Sequence, residues 1–371
     1  MAAGPLRGFR FIEFAGIGPG PFCAMLLADL GADIIRVDRK DLVGTEADAG
    51  DVLARGRRSI ALDLKDEKDK SVALSLVASA HGLIEGFRPG VMERLGLAPE
   101  DCWKVNPKLI YGRMTGWGQN GPLAASAGHD LNYIALSGAL HSIGVKEKPS
   151  IPLNLIGDFG GGALYLAFGL CAALLEAQHS QKGQVVDMAM CDGAVSLMSM
   201  FFGWHAAGKW TELRGSNLLD GGAPFYNIYE TSDGLFVTIA AIEPKFYNVL
   251  RSLLQLDDPL FDDQFDQQKW PEQKHKLAEL FQQRTRQEWC DLLEATDACF
   301  APVLSMQEAQ NHPHYRHNQT FFNGHSFTQP GVVPSFSRTP GAVQGPPVAP
   351  GSHNREILDE MASSESHSIK D

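Results

Sequence analysis

The stretch Phe9-Arg10-Phe11-Ile12-Glu13-Phe14, Ala15-Gly16-Ile17-Gly18-Pro19-Gly20, Pro21 to Leu30 and Asp33-Ile34-Ile35-Arg36-Val37 decides the fold. Its first segment alternates as a strand does. The second is a turn that needs a permissive backbone. Pro21 suits a first helical turn, Phe22, Met25, Leu26 and Leu30 then share one face, and Gly31 ends the helix. A second strand follows. Strand, helix and strand in this order make a βαβ unit, hence a parallel sheet with a right-handed crossover.

The pattern continues outward. Ser59–Leu64, Leu83–Phe87, Leu109–Arg113 and Gln184–Met188 read as further strands, with a helix carrying Val72, Ala73, Leu76, Val77 and Ala80 and another at Val91–Leu95. The first half is therefore α/β and doubly wound. From about residue 225 the texture changes. Phe225–Glu230 and Leu235–Ala241 flank Thr231-Ser232-Asp233-Gly234 as a hairpin, and helices follow near 244–255, 271–283 and 286–295. Residues 331–351 are rich in Pro and Gly and read as an extended linker, with a short helix near Arg355–Met361. The expected division is a large Rossmann-like domain over 1–190, linker helices over 191–224, a small α+β domain over 225–329, and a linker returning to the large domain over 330–371.

Composition narrows the function. The 371 residues carry a formal net charge of −12, which disfavours general nucleic-acid binding because the phosphate backbone would repel most of the surface. The six cysteines include no C-x-x-C pair, so neither a zinc site nor a thioredoxin-like site is expected, and the thiols imply a reducing compartment. No secretory leader is evident, and the terminal Ser368-Ile369-Lys370-Asp371 is not a peroxisomal tripeptide signal. The expected compartment is the cytoplasm, with mitochondrion or peroxisome as alternatives. Phe159 to Leu175 lacks charge, but it opens on three glycines between Asp158 and Glu176. It is read as a helix buried in a globular domain rather than a membrane span.

Gly16-x-Gly18 after a strand suggests a dinucleotide fingerprint, but Pro21 stands where the third glycine belongs. His312, His314 and His317 read as surface histidines, and no metal is expected. Arginines are more informative. Arg39 follows the second strand, Arg55, Arg57 and Arg58 precede the third, Lys65 follows it, and Arg88 follows the fourth. Basic groups at strand ends in an acidic protein suggest a polyanionic ligand such as a nucleotide phosphate, with solvated surface charge as the alternative. Three acid–base candidates stand out by type: His129, Asp158 and Glu243. On residue type alone His129 reads equally as a buried histidine, Asp158 as a helix N-cap, and Glu243 as a loop carboxylate.

Several of these stretches resemble the family III CoA-transferases (CaiB/BaiF-like). They include Gly18–Met25, Arg36-Val37-Asp38-Arg39, Leu62-Asp63-Leu64-Lys65, Arg88-Pro89-Gly90-Val91, Ala127-Gly128-His129-Asp130, Asn154–Gly161, Gly183–Asp187, Asp220–Tyr226 and Ile242-Glu243-Pro244. The resemblance implies two domains joined by long linkers, an interlocked homodimer, and a CoA thioester ligand with no separate cofactor. It carries the CoA-binding places onto Arg39, Leu62, Asp63, Leu64, Lys65 and Arg88. The stretch along the thioester falls on Gly128, Asp130, Leu131, Asn132 and Tyr133.

Within the family, Gly128-His129-Asp130 resembles the branch that racemises 2-methylacyl-CoA thioesters of fatty-acid metabolism. That resemblance makes His129 a base, Glu243 its paired carboxylate and Asp158 the opposing acid/base. The alternatives are a transferase, in which Asp158 is a nucleophile, and a non-catalytic CoA-binding protein. Peptide N–H groups near Asp130 are the expected donors to an enolate oxygen. Met188, Met190, Met198, Met200, Phe201 and Phe202 are candidates for an adaptable acyl pocket, or for core and dimer interface.

Overall fold

The computed structural model describes residues 4–324 and 326–368; Ile369, Lys370 and Asp371 of the terminal tetrapeptide therefore lie outside the described residues. Two compact units emerge. One comprises residues 1–137, 153–197 and 313–371, the other 138–152 and 198–312.

The first unit is built on six parallel strands: β1 (Arg10–Phe14), β2 (Asp33–Arg39), β3 (Arg57–Leu62), β4 (Gly82–Glu85), β5 (Ile110–Thr115) and β6 (Val185–Ala189). They lie in the order β3-β2-β1-β4-β5-β6. Phe11 sits opposite Ile34 on one side and Gly82 on the other. The sheet is covered on both faces, so Phe11, Ile12, Glu13 and Phe14 are all buried instead of alternating between core and solvent as the sequence pattern implies. Phe11, Ile34, Ile84 and Ile110 face one core with α1 (Pro19–Asp29), whereas Ile12, Ile35, Val37, Leu83 and Tyr111 face the other. That second face receives α2 (Glu67–Ala78), α3 (Val91–Leu95) and α4 (Pro99–Val105), through Leu76, Met92 and Cys102 among others. Asp66 caps α2 by accepting the amides of Lys68 and Asp69.

Three arginine–carboxylate pairs stand inside this unit. Arg55 bonds Asp29, Arg57 bonds Glu13, and Arg113 bonds Glu85. The Arg57 guanidinium reaches Glu13 at 3.0 Å and also donates to the carbonyls of Arg55 and Pro21. Arg58 binds Asp33, Glu356 and Glu360. Thus Arg55, Arg57 and Arg58, read from the sequence as candidates for a polyanionic ligand, are spent on the protein's own carboxylates.

The apolar run also differs from its reading. Leu155–Leu164 forms a π-helix that continues into α6 (Tyr165–Ser180). Together they make the one helical stretch, among the described residues, long and apolar enough to cross a membrane. Only one face is buried. Leu166, Leu170 and Ala173 pack on the sheet, while Phe168 is 75% exposed. The run lacks charge because its two sides are both apolar, which composition cannot distinguish from full burial. After α5 (Asp130–Leu136) comes this π-helix, which packs on α7 (Met190–Leu197). Gly161 and Gly193 meet there; a Cβ on Gly161 would lie 2.8 Å from the Ala194 nitrogen.

The returning chain finishes the unit. Gly345 accepts the Gly56 amide, and Asp29 accepts that of Ala342. β3 is an edge strand, and its outward amides are taken by side chains: Ser59 N–H by His353 at 3.2 Å and Ala61 N–H by Asn354 at 2.8 Å. Then α12 (Asn354–Ser368) places Ile357 in the core.

The second unit holds α8 (Ser199–Ala206) and a three-stranded antiparallel sheet. β7 (Tyr226–Glu230) pairs with β8 (Phe236–Ala240), which pairs with β9 (Phe300–Pro302). The turn between β7 and β8 is tied by Thr231, which donates to Asp233 at 2.5 Å. Phe225, Tyr229, Val237 and Ile239 pack with α9 (Pro244–Leu254), α10 (Trp270–Phe281) and α11 (Arg286–Leu293) around Tyr247, Phe281 and Trp289. Residues 138–152 join this unit; Arg214 donates to the carbonyls of His141 and Val145.

Candidate active site

Sheet order predicts where a ligand goes. Strand direction of progress reverses between β1 and β4, and open parallel sheets bind ligands at such a point, outside the carboxyl ends of the strands. A cleft of about 640 Å³ lies there. It is walled by the turn after β1 (Gly16–Pro21), the segment after β4 (Gly86–Pro89) and the segment after β5 (Thr115–Trp117). Gly128, His129, Tyr133, Asn154 and Asp158 complete it.

Two elements bring the acid–base candidates into this cleft. His129 is the N-cap of α5, held in an extended conformation, and its amide donates to Asn132 Oδ1 at 3.1 Å. Asp158 is the fourth residue of the π-helix. The helix begins after Asn154, so Asp158 is not the N-cap that its position before the glycines suggested; Asn154 takes that place. π-Helical segments are rare and concentrate at functional sites. Asp158 Oδ2 accepts from Asn154 Nδ2 at 3.1 Å, and its amide donates to Asp130 Oδ1 at 2.8 Å. Gly18 lies against the same carboxylate. It adopts φ 68°, and a Cβ there would come within 3.2 Å of Asp158 Oδ2.

Burial pushes the Asp158 carboxyl above its ordinary value; Asp130 adds to the rise, while Asn154 and His129 oppose it without cancelling it. The cleft thus holds a carboxyl that keeps its proton to a higher pH than an exposed one. The imidazole of His129 lines the same cleft. Tyr133 is fixed by donating to the Gly128 carbonyl and by an edge-on Trp117, ring centroids 4.8 Å apart.

The other site residues are distributed as follows. Arg88 is exposed at the cleft wall. Arg39 pairs with Asp41 and lines a neighbouring cavity of about 390 Å³ shared with Arg36, Gly16 and Ile17. Leu62 is buried in the core, and Leu64 packs on it. Asp63 is exposed, its carboxylate accepting the Lys65 amide, and Lys65 lines neither cavity. Asp130 is buried, and Leu131 and Asn132 are exposed. Glu243 belongs to the second unit, where it is the N-cap of α9. Of the proposed acyl-pocket residues only Met190 lines the cleft. Met188 packs on the core, and Met198, Met200, Phe201 and Phe202 belong to the second unit. The sequence reading missed Asn154 as a partner of Asp158, although its place one helical turn earlier was the available signal. It also missed Trp117, Met114 and Phe87 in the wall. No group of three or more His, Cys, Asp or Glu is placed to hold a metal ion among the described residues.

A sequence profile of CoA-transferase family III matches residues 6–354. The chain belongs to CoA-transferase family III. Among curated family members, the alpha-methylacyl-CoA racemase of Mus musculus is 45% identical over 97% of this chain and 94% of its own. The alpha-methylacyl-CoA racemase of Homo sapiens is 41% identical over 96% of this chain and 93% of its own. A crystal structure of a CaiB/BaiF family protein from Brucella suis superposes with a TM-score of 0.83, covering 97% of this chain and all of that one at 23% identity, a likeness of fold.

Proposed function

We propose that this chain is an isomerase that interconverts the C2 epimers of 2-methylacyl-CoA thioesters by removing the α-proton from one face and returning a proton to the other. The observation that carries the reading is that His129 and Asp158 line one cleft at the carboxyl ends of the strands. Racemisation requires one group to take the α-proton and another to return one to the opposite face. A base and a proton-retaining carboxyl on different elements meet that need. In one direction neutral His129 accepts and protonated Asp158 donates; in the other the roles exchange. The likeness to two racemases favours this chemistry over acyl exchange.

Acid–base action contributes about 10²–10⁴ in rate. The enolate oxygen needs donors as well, each worth about 2.7–4 kcal/mol. We assign these donors to peptide N–H groups at the start of α5, near Asp130. Glu243 is proposed to orient His129 and stabilise its charged form, as a carboxylate does for a catalytic imidazole. CoA would be met by Arg88 and Arg39, with Leu62, Asp63, Leu64 and Lys65 at its outer end; no separate cofactor is required. We further read the parallel sheet as Rossmann-like and the assembly as an interlocked homodimer. Exposed Leu164, Phe168 and Leu175 on α6 and the π-helix supply apolar surface for it. The cytoplasm is the proposed compartment.

The test is incubation of one epimer of a 2-methylacyl-CoA in heavy water, following deuterium at C2 and inversion. His129→Ala should abolish exchange from one face and Asp158→Asn from the other. Retained exchange of both epimers in either variant would remove its role. Trapping of a covalent Asp158 acyl species by hydroxylamine, without exchange, would instead establish the transferase.

A further inference from the structure

The geometry points to Asp130 as a positioning residue for Asp158: its buried carboxyl anchors the Asp158 amide and stands beside the Asp158 side chain, so that the acid of the cleft is held and tuned by the residue next to the base. The inference rests on the racemase reading and assigns to Asp130 a role through its side chain, distinct from any its peptide group plays towards the thioester.

Three observations support it. Asp130 is 5% exposed, and its Oδ1 accepts the Asp158 N–H at 2.8 Å. Because Asp130 directly follows His129, this bond ties the backbone of the acid to the residue next to the base, and both proton-transfer groups share one frame before substrate arrives. Second, Asp130 Oδ2 is buried and has no hydrogen-bond partner. An unpartnered oxygen on an interior carboxylate is unfavourable, and a neutral Asn or Ser could accept the same amide without that charge. What Asp adds at this position is a second carboxyl group beside that of Asp158. Third, the chain makes room for it. A Cβ at Gly157 would lie 2.6 Å from Asp130 Oδ1 and 3.3 Å from Ile134, so any side chain there would displace the carboxylate.

The surroundings of Asp158 bear this out. From α5 it faces His129, Asp130 and Tyr133; from its own helix, Asn154; and from the turn before α1, Gly18. Arg88, on the loop after β4, acts on Tyr133. On the far side of the π-helix α7 brings Cys191 and Asp192, which bond each other at 3.4 Å. Burial is the larger reason the Asp158 carboxyl is raised, and Asp130 is the like charge that adds to it. The need is clear from arithmetic: an exposed aspartate near pKa 3.9 is only about 0.1% protonated at neutral pH. Each unit of increase multiplies the donor population about tenfold.

The experiment uses the full chain. Carboxyl ¹³C NMR without substrate follows the titration of Asp158, its signal assigned by loss in Asp158→Asn. In Asp130→Asn, which keeps an acceptor for the amide but removes the charge, the Asp158 midpoint should fall by about one pH unit. The exchange profile in the direction needing protonated Asp158 should shift down equally. Asp130→Ala, which removes anchor and charge, should lower exchange of both epimers at least tenfold at every pH. Asp130→Asn should recover that rate at low pH. An unchanged Asp158 midpoint in Asp130→Asn, or exchange at the parent rate in Asp130→Ala, overturns the inference. If Asp130→Ala does not fold, the Asp130→Asn titration decides alone. A parent chain that exchanges neither epimer would sink the racemase reading, while the titration would still report on Asp130.

Discussion

Replacing Arg57 by Met should destabilise the protein severely and leave CoA recognition unaltered in the molecules that remain folded. The Arg57 side chain is fully buried, as is its partner Glu13 at 1% exposure. Its guanidinium makes two contacts with that carboxylate, at 3.0 and 3.4 Å, and bonds the carbonyls of Arg55 at 2.7 Å and Pro21 at 2.5 Å. Met fills a similar volume but leaves Glu13 charged, buried and unpaired, a change that costs about 3–5 kcal/mol. In a domain whose whole stability is about 5–15 kcal/mol, that removes a large part of it. At about 2–4 °C per kcal/mol for a unit of this size, the melting temperature should fall by roughly 10 °C. The double variant Arg57→Met with Glu13→Gln removes the stranded charge and should recover most of the loss. Thermal melts of both, with titration of a CoA thioester into the folded protein, check the reasoning. A single variant that melts like the parent but binds CoA more weakly would show Arg57 to be a ligand-binding group and the pairing argument to be wrong.

Arg88→Ala should raise the KM for a CoA thioester about tenfold with little change in kcat, and the difference should shrink as salt rises; steady-state exchange at two ionic strengths measures it. Gly161→Ala should cost about 1–3 kcal/mol in a melt, because its Cβ meets main chain of α7 that cannot swing aside, and should slow exchange through displacement of the π-helix. Arg58→Met should cost about 1–2 kcal/mol by unlatching α12, since Arg58 joins Asp33 to Glu356 and Glu360. Burial alone would raise the Asp33 carboxyl, but Arg58 and Arg10 more than offset it and hold it low. Its stabilisation is therefore complete above about pH 4 and disappears as pH falls through the lowered value. Acid melts should show a smaller loss over that window in Arg58→Met than in the parent.

How far the sequence was readable depends on the kind of signal. Strands such as Arg10–Phe14 and the helix Val91–Leu95 were legible because local periodicity and turn residues specify them. The cleft was legible in outline, since strand order follows from successive βαβ units and a reversal fixes where ligands go. The arginines before β3 were misleading. Charge is visible in a sequence, but whether Arg57 meets solvent or Glu13 depends on a register between strands 44 residues apart. The π-helix was invisible, because its five-residue bonding step leaves the same apolar run that an α-helix would. Asp158 was found by type and likeness, yet its titration is raised first by burial and then by Asp130, 28 residues away, and no local pattern records that encounter.

The returning segment has a consequence for biosynthesis. The outward amides of Ser59 and Ala61 are satisfied by His353 and Asn354, and Arg55 finds its carbonyl acceptor in Pro330. A nascent chain therefore holds an unshielded strand margin through translation of some 290 further codons. During that interval the margin can template pairing with a neighbouring polypeptide, an exposure that ends only when the returning segment docks.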